Sequence, residues 1–177
     1  MNIPNLLTVF RLSLIPVYIF IYLSGHSYRI FWSMIVLFTA GITDIADGYW
    51  ARKTKQVTEL GKILDPLADK LMVTAILSCF VPEKRVTLWE AGVVVFRDVV
   101  MILCAGVFRW RGMKTVPANW WGKGGTLLLY FVLFGFLLNW PYMHNLLWVV
   151  ALVLYIAAWI YIREVYRVNA LDRHRFR

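Results

Sequence analysis

Charge is scarce in this sequence. Asp, Glu, Lys and Arg make up 16% of its 177 residues, against about 25% in soluble globular chains. With 60% hydrophobic residues and a mean hydropathy of +0.64, that shortage excludes a disordered chain, a coiled coil, a collagen-like chain and an ordinary soluble domain. Cysteine is scarcer still. Cys79 and Cys104 are the only two, too few for a disulfide framework and wrongly spaced for a metal site. Both sit in apolar runs and read as buried core residues. Internal repeats, low-complexity tracts and strand-like alternation are all missing, and the last of these excludes a β-barrel. The start, Met1-Asn2-Ile3-Pro4-Asn5, has no basic n-region and no small-residue cleavage site comes after it. The first apolar run is therefore expected to stay as a membrane helix.

What is present is long apolar runs. Six can be marked, at roughly 6–24, 30–51, 62–81, 87–108, 122–140 and 145–166, each near the length of one span. The expected fold is all-α: a polytopic membrane protein of six transmembrane helices, forming a single integral membrane domain over 1–177. Basic residues set the orientation. Arg52, Lys53, Lys55 and Lys62 lie between runs 2 and 3; Arg109, Arg111, Lys114 and Lys123 lie between runs 4 and 5. Arg163, Arg167, Arg173, Arg175 and Arg177 come at or after the end of run 6, which puts thirteen on one side. The other side has Arg29, Lys84 and Arg85, while Arg11, Lys70 and Arg97 fall inside runs. The positive-inside rule then places both termini in the cytoplasm of a multi-pass cell (inner) membrane protein. The net charge of +9 is explained by anionic headgroups and requires no nucleic-acid partner. Trp120, Trp121, Trp140 and Tyr142 lie at segment ends, where an interfacial belt is expected.

The few acids are placed unusually. Asp44, Asp47, Asp65 and Asp69 are four of ten acidic residues, and all stand in or beside apolar runs. Each would cost about 2.5–3.5 kcal/mol at a helix centre. Asp44 and Asp47 are i,i+3 and share a helical face; Asp65 and Asp69 are i,i+4 and share another. A short basic loop makes helices 2 and 3 neighbours, so the faces can meet and gather four carboxylates at the cytoplasmic end. Pairing with Arg52, Lys53, Lys62 and Lys70 would suffice for a single acid, but not for four on matched faces. Either some stay protonated or cations join them. All-oxygen ligation suits Mg2+ or Mn2+, and two divalent cations would cancel four carboxylates. Gly48 and Gly61 let a ligand approach the backbone, Ala51 is small, and Arg52 presents a charge one turn from Asp47. Metal, glycine and arginine together describe a pyrophosphate site. Pro66 either sits in a first helical turn capped by Asp65 or kinks helix 3.

The pattern Asp44-x2-Asp47-Gly48-x2-Ala51-Arg52-x8-Gly61-x3-Asp65-x3-Asp69 resembles the signature of the CDP-alcohol phosphatidyltransferases at all eight fixed positions and in their spacing. The resemblance implies a six-helix membrane fold, a homodimer and a dinuclear metal site facing the cytoplasm. It also implies transfer of a phosphatidyl group from a CDP-linked lipid to an alcohol, with release of CMP. Carried over residue by residue, Asp44, Asp47 and Asp65 are metal ligands, and Asp69 is a ligand and the general base for the acceptor hydroxyl. Gly48, Ala51, Arg52 and Gly61 line the cytidine and pyrophosphate of CDP-diacylglycerol.

The likeness extends further. Ile3-Pro4-Asn5-Leu6-Leu7-Thr8 and Arg11 resemble the start of the phosphatidylglycerophosphate synthase branch. Asn5, Thr8 and Arg11 recur every three residues and give helix 1 a polar face, read either as a functional face or as an N-cap plus a snorkelling arginine. Gly122-Lys123-x2-Thr126 resembles that branch's Gly-Lys-x-Lys-Thr element, with Gly125 in place of the second lysine. Arg97-Asp98-Val99 is closer to the cardiolipin synthases. Arg97, Arg111, Lys114, Lys123 and Thr126 are the candidates for holding an acceptor phosphate. The reading favoured is transfer to glycerol 3-phosphate in phospholipid biosynthesis, with cardiolipin synthesis from phosphatidylglycerol as the alternative. An aspartate-rich prenyltransferase needs more helices than 177 residues allow. A cation transporter, the rival of a different class, would show an internal repeat with broken helices.

Overall fold

Each apolar run becomes one helix. The computed structural model describes the backbone of residues 3–54, 61–113 and 120–175. Within these it describes every side chain except those at 3–5, 44–54, 61–63, 65, 66, 120, 121, 123 and 171–175. The helices are α1 (Ile3–Leu23), α2 (Arg29–Thr54), α3 (Gly61–Phe80), α4 (Leu88–Trp110), α5 (Trp120–Leu137) and α6 (Met143–Arg175), and no strand occurs among the described residues. Three of them carry described stretches long and apolar enough to cross a membrane: Leu6–Leu23, Leu88–Trp110 and Met143–Ala170. Shorter apolar stretches occupy Arg29–Thr43 and Gly124–Leu137. The protein is an all-helical membrane protein.

Most boundaries fall within a few residues of the apolar runs. The exceptions have physical reasons. Helix α6 runs nine residues beyond its apolar run, to Arg175. The stretch from Arg163 to Arg175 contains no glycine or proline, so it stays compatible with helix after the hydropathy falls. Helix α3 starts at Gly61, so Pro66 lies in its second turn and the first-turn placement does not hold. Cys79 is buried as expected, but Cys104 is only half-buried. Its neighbours Ile102, Leu103 and Val107 face outward on α4.

The chain divides into two compact units, Met1–Ala91 with Phe136–Asn139, and Gly92–Gly135 with Trp140–Arg177. In the first, α1 packs against both α2 and α3. Its polarity is inverted relative to a soluble helix. Thr8, Arg11, Tyr18 and Tyr22 face inward with no exposure, whereas Leu6, Phe10, Phe20 and Leu23 face outward. A lipid solvent produces this inversion, because polar groups are expelled from hydrocarbon toward the protein interior. An aromatic series crosses the interior: Tyr18 stacks on Tyr22 at 5.8 Å, Tyr22 meets Phe80 at 5.6 Å, and Phe80 meets Phe136 at 6.2 Å.

Beyond that series a polar clasp closes the unit. The Tyr22 hydroxyl donates to Glu83 Oε2 at 2.7 Å, Arg29 Nη1 lies 2.6 Å from Glu83 Oε1, and Arg85 Nε lies 2.9 Å from Oε2. Arg85 also donates through Nη1 to the carbonyl of Phe136 and to Asn139 Oδ1, both at 2.7 Å. One carboxylate thus ties together the end of α1, the start of α2 and the α3–α4 turn, and Arg85 extends the tie to the end of α5. Burial alone would push the Glu83 carboxyl up. The Tyr22 and Arg85 hydrogen bonds and the Arg29 charge outweigh it and hold the group below the usual carboxylate range. The α3–α4 turn is built by Lys84, left-handed at φ 56°, with Arg85 N–H bonded to the Phe80 carbonyl at 3.1 Å. That is the six-to-one bond of a Schellman end. Helix α4 then opens on a capping box, in which Thr87 N–H and hydroxyl both donate to Glu90 Oε2, at 2.7 and 2.8 Å.

In the second unit, α4 and α6 are joined through backbone acceptors. Tyr155 donates to the Val93 carbonyl at 2.9 Å, and Arg97 Nε to the Leu154 carbonyl at 3.4 Å. On α6 the positions Leu147, Val150, Ala151, Leu154, Ala157 and Ala158 form the buried stripe. Helix α5 approaches this stripe closely: a Cβ at Gly125 would lie 2.7 Å from Leu154 Cδ2. A side chain at position 125 would require Leu154 to shift. Phe108 and Tyr166 meet edge to face at 5.5 Å where α4 ends.

Candidate functional site

The aspartate motif maps onto two helices. Asp44, Asp47, Gly48, Ala51 and Arg52 occupy the last three turns of α2, and Gly61, Asp65 and Asp69 the first three turns of α3. The side chains of Asp44, Asp47, Ala51, Arg52 and Asp65 lie outside the described residues. The backbone still fixes their spacing. Asp44 and Asp47 come after Ala40 at i+4 and i+7, positions of one helical face, and Ala40 is fully buried. Asp65 stands one turn before Asp69 on α3. Both helices share α1 as a packing partner.

Asp69 is described completely. Its exposure is 9%, and Oδ2 lies 3.3 Å from the ammonium of Lys70. A carboxylate this buried in an apolar helix is stabilised by cations and hydrogen bonds. The donor set of the motif, four carboxylates and no sulfur or imidazole, fits a hard divalent cation such as Mg2+ or Mn2+.

The acceptor candidates are in different situations. Arg97 and Asp98 are 8% and 4% exposed, and Arg97 Nη1 lies 2.7 Å from Asp98 Oδ1. With Nε on the Leu154 carbonyl, this guanidinium is already engaged inside the second unit. Arg111 is exposed in the turn after α4, where Gly112 takes φ 62° and Met113 N–H closes on the Phe108 carbonyl at 2.9 Å. The Thr126 hydroxyl donates to the Gly122 carbonyl at 3.0 Å. Lys114 and the Lys123 side chain lie outside the described residues.

Sequence reading passed over the Glu83 clasp, and it gave Arg11 no place in the site. The three-residue recurrence of Asn5, Thr8 and Arg11 was the available signal for Arg11. Burial decides between the two readings of that face: Thr8 and Arg11 are both fully enclosed, so Arg11 does not snorkel.

Comparison with known proteins adds the chemistry. Residues 1–162 match the family described as CDP-alcohol phosphatidyltransferase. The chain is 36% identical over 161 residues to a CDP-diacylglycerol–glycerol-3-phosphate 3-phosphatidyltransferase of Haemophilus influenzae, a match spanning 89% of this chain and 85% of that one. The Bacillus subtilis protein of the same name is 33% identical over 181 residues, spanning 90% and 93%. A cardiolipin synthase (CMP-forming) of Streptomyces coelicolor is 30% identical over 132 residues, spanning 73% of this chain and 61% of that protein.

Proposed function

Because the chain belongs to the CDP-alcohol phosphatidyltransferases, we propose that it transfers the phosphatidyl group of CDP-diacylglycerol to glycerol 3-phosphate, giving phosphatidylglycerophosphate and CMP. The observation that carries the choice of acceptor is length. The near-full-length matches, along 85% and 93% of their own chains, are to relatives named for glycerol 3-phosphate; a third relative so named matches along 53%, and the cardiolipin synthase along 61%.

In this reading residues 1–177 act as one catalytic domain, a homodimer in the inner membrane with both termini and the active site cytoplasmic. The thirteen basic residues on one side support the orientation. Asp44, Asp47, Asp65 and Asp69 would hold two divalent cations, Mg2+ or Mn2+, which supply Lewis-acid polarisation of the diphosphate when bound. Arg52 pairs with the pyrophosphate, and Gly48, Ala51 and Gly61 leave room for the nucleotide against the backbone. Asp69 accepts the proton of the attacking hydroxyl. The acceptor oxygen then bonds to the phosphatidyl phosphorus, the bond from that phosphorus to the CMP oxygen breaks, and its electron pair leaves with CMP. Arg111, Lys114, Lys123 and Thr126 are the candidates for the acceptor phosphate. Arg97 joins only if its pair with Asp98 opens.

An acceptor screen tests this. Purified protein with CDP-diacylglycerol and Mg2+ or Mn2+ is offered glycerol 3-phosphate, phosphatidylglycerol, inositol phosphate and serine, and CMP release is followed. Glycerol 3-phosphate is the acceptor expected, and Arg111→Ala and Lys123→Ala raise its KM while leaving that for CDP-diacylglycerol nearly unchanged. Turnover with phosphatidylglycerol alone would assign cardiolipin synthesis instead.

A further inference from the structure

Arg11 stands outside the aspartate motif, yet it is a completely buried guanidinium in an apolar helix. Taking such a charge out of water costs several kcal/mol unless opposite charge meets it. The helix register shows where that charge lies. Tyr22, one residue from the end of α1, meets Phe80, the last residue of α3, at 5.6 Å. Two packed helices whose C-terminal ends meet run parallel. Equal steps toward the N-terminus of each helix pair Tyr18 with Ile76 and Leu14 with Met72, and all four are buried. Eleven residues before the aromatic contact, about 16 Å and three turns, stand Arg11 on α1 and Asp69 on α3. Three turns return each residue to the face that carried the aromatic contact.

Helix α2 gives the same level. Arg29 Nη1 bonds the Tyr22 carbonyl at 3.2 Å, which sets the start of α2 beside the end of α1. Eleven residues into α2 from there is Ala40, also fully buried, with Asp44 one turn further on. An arginine side chain leans toward its helix's N-terminus. It therefore comes level with Asp44 on α2 and with the turn of α3 between Asp65 and Asp69. Asp69 also lies near the Lys70 ammonium.

We propose that Arg11 is a positioning residue of the active site: a permanently charged anchor on α1 that holds the carboxylate-bearing faces of α2 and α3 in their working arrangement. It is enclosed by protein, so it acts through the aspartates and does not bind substrate. The inference rests on the phosphatidyl-transfer reading for its catalytic consequence, but not for its geometry.

Two experiments test it. In a Cys79→Ser/Cys104→Ser background, Leu14→Cys with Met72→Cys forms a disulfide under mild oxidation, and Val17→Cys with Met72→Cys does not. Failure of the first pair in folded protein overturns the register whether or not the enzyme is active. In the second, Arg11→Gln lowers kcat about 10–100-fold, as loss of partners behind metal-ligating side chains commonly does. The KM values for CDP-diacylglycerol and glycerol 3-phosphate stay within about twofold, and Arg11→Lys recovers part of the loss with the same KM values. A raised KM with kcat kept would make Arg11 a substrate ligand and overturn the proposal, as would full kcat in both variants. If Arg11→Gln does not fold, the Arg11→Lys kcat and the cysteine pair decide. Wild-type protein without CMP release would instead refute the phosphatidyl-transfer reading.

Discussion

The two ends of the α1 unit handle charge in opposite ways. At the Glu83 end, one carboxylate is met by two guanidinium groups and a phenol, all within 3 Å, and the cluster closes on itself. At the other end the sequence places four aspartates on two helices, a set for which the proposed counter-charge is a pair of divalent cations. A charge cluster already satisfied by its own side chains maintains the fold. One that is complete only with a ligand is built for binding. The difference lies in stoichiometry and not in residue type, since both ends are made of carboxylates and cations at helix ends.

This contrast is broken most strongly at the acidic end. Asp69→Asn keeps the shape and removes the proposed proton acceptor, so kcat falls about 10²–10⁴-fold with CDP-diacylglycerol binding mostly retained. Asp44→Asn weakens metal and nucleotide binding together. Equal loss of binding in both variants would contradict the separate roles. EDTA abolishes turnover and Mg2+ or Mn2+ restores it.

At the clasp the expected effect is on stability. Glu83→Gln leaves two guanidinium groups without their shared carboxylate and lowers unfolding free energy by about 1–3 kcal/mol, while turnover per folded molecule is kept. The pH dependence comes from the direction of the Glu83 shift. A carboxyl held below its ordinary value of 4.5 contributes stability that is present above that value and is lost as pH falls through the lower folded value. Wild-type melting temperature therefore drops below about pH 4.5, and Glu83→Gln removes that part of the drop.

The helix-end devices are smaller. Thr87→Ala deletes the capping box and costs about 1 kcal/mol, read by thermal denaturation. Lys84→Gly relieves a left-handed lysine at φ 56° and stabilises by up to about 1 kcal/mol. A melting temperature that falls instead would show that the Lys84 side chain makes a contribution larger than the backbone strain.

The unequal legibility of these parts has a physical basis. Helix positions and the aspartate motif are local, because hydropathy and i,i+3 or i,i+4 spacing are written in consecutive residues. The self-neutralising pair Arg97–Asp98 is adjacent in sequence and could be weighed from it directly. The Glu83 clasp joins residues 22, 29, 83, 85, 136 and 139, which no local pattern connects. Arg11 was visible as one member of a polar periodicity, but only the α1–α3 register puts it level with Asp69. The length of α6 was missed because hydropathy marks where lipid ends, not where hydrogen bonding stops.

Metal-dependent transfer to glycerol 3-phosphate is tested most directly by a competition. Purified protein in mixed micelles receives CDP-diacylglycerol, Mg2+ and equal amounts of isotopically labelled glycerol 3-phosphate and phosphatidylglycerol, and the lipid products are resolved by mass. Label is expected in phosphatidylglycerophosphate, with one CMP released per labelled lipid and none formed in EDTA. Cardiolipin as the main product, or CMP release that persists in EDTA, would contradict it.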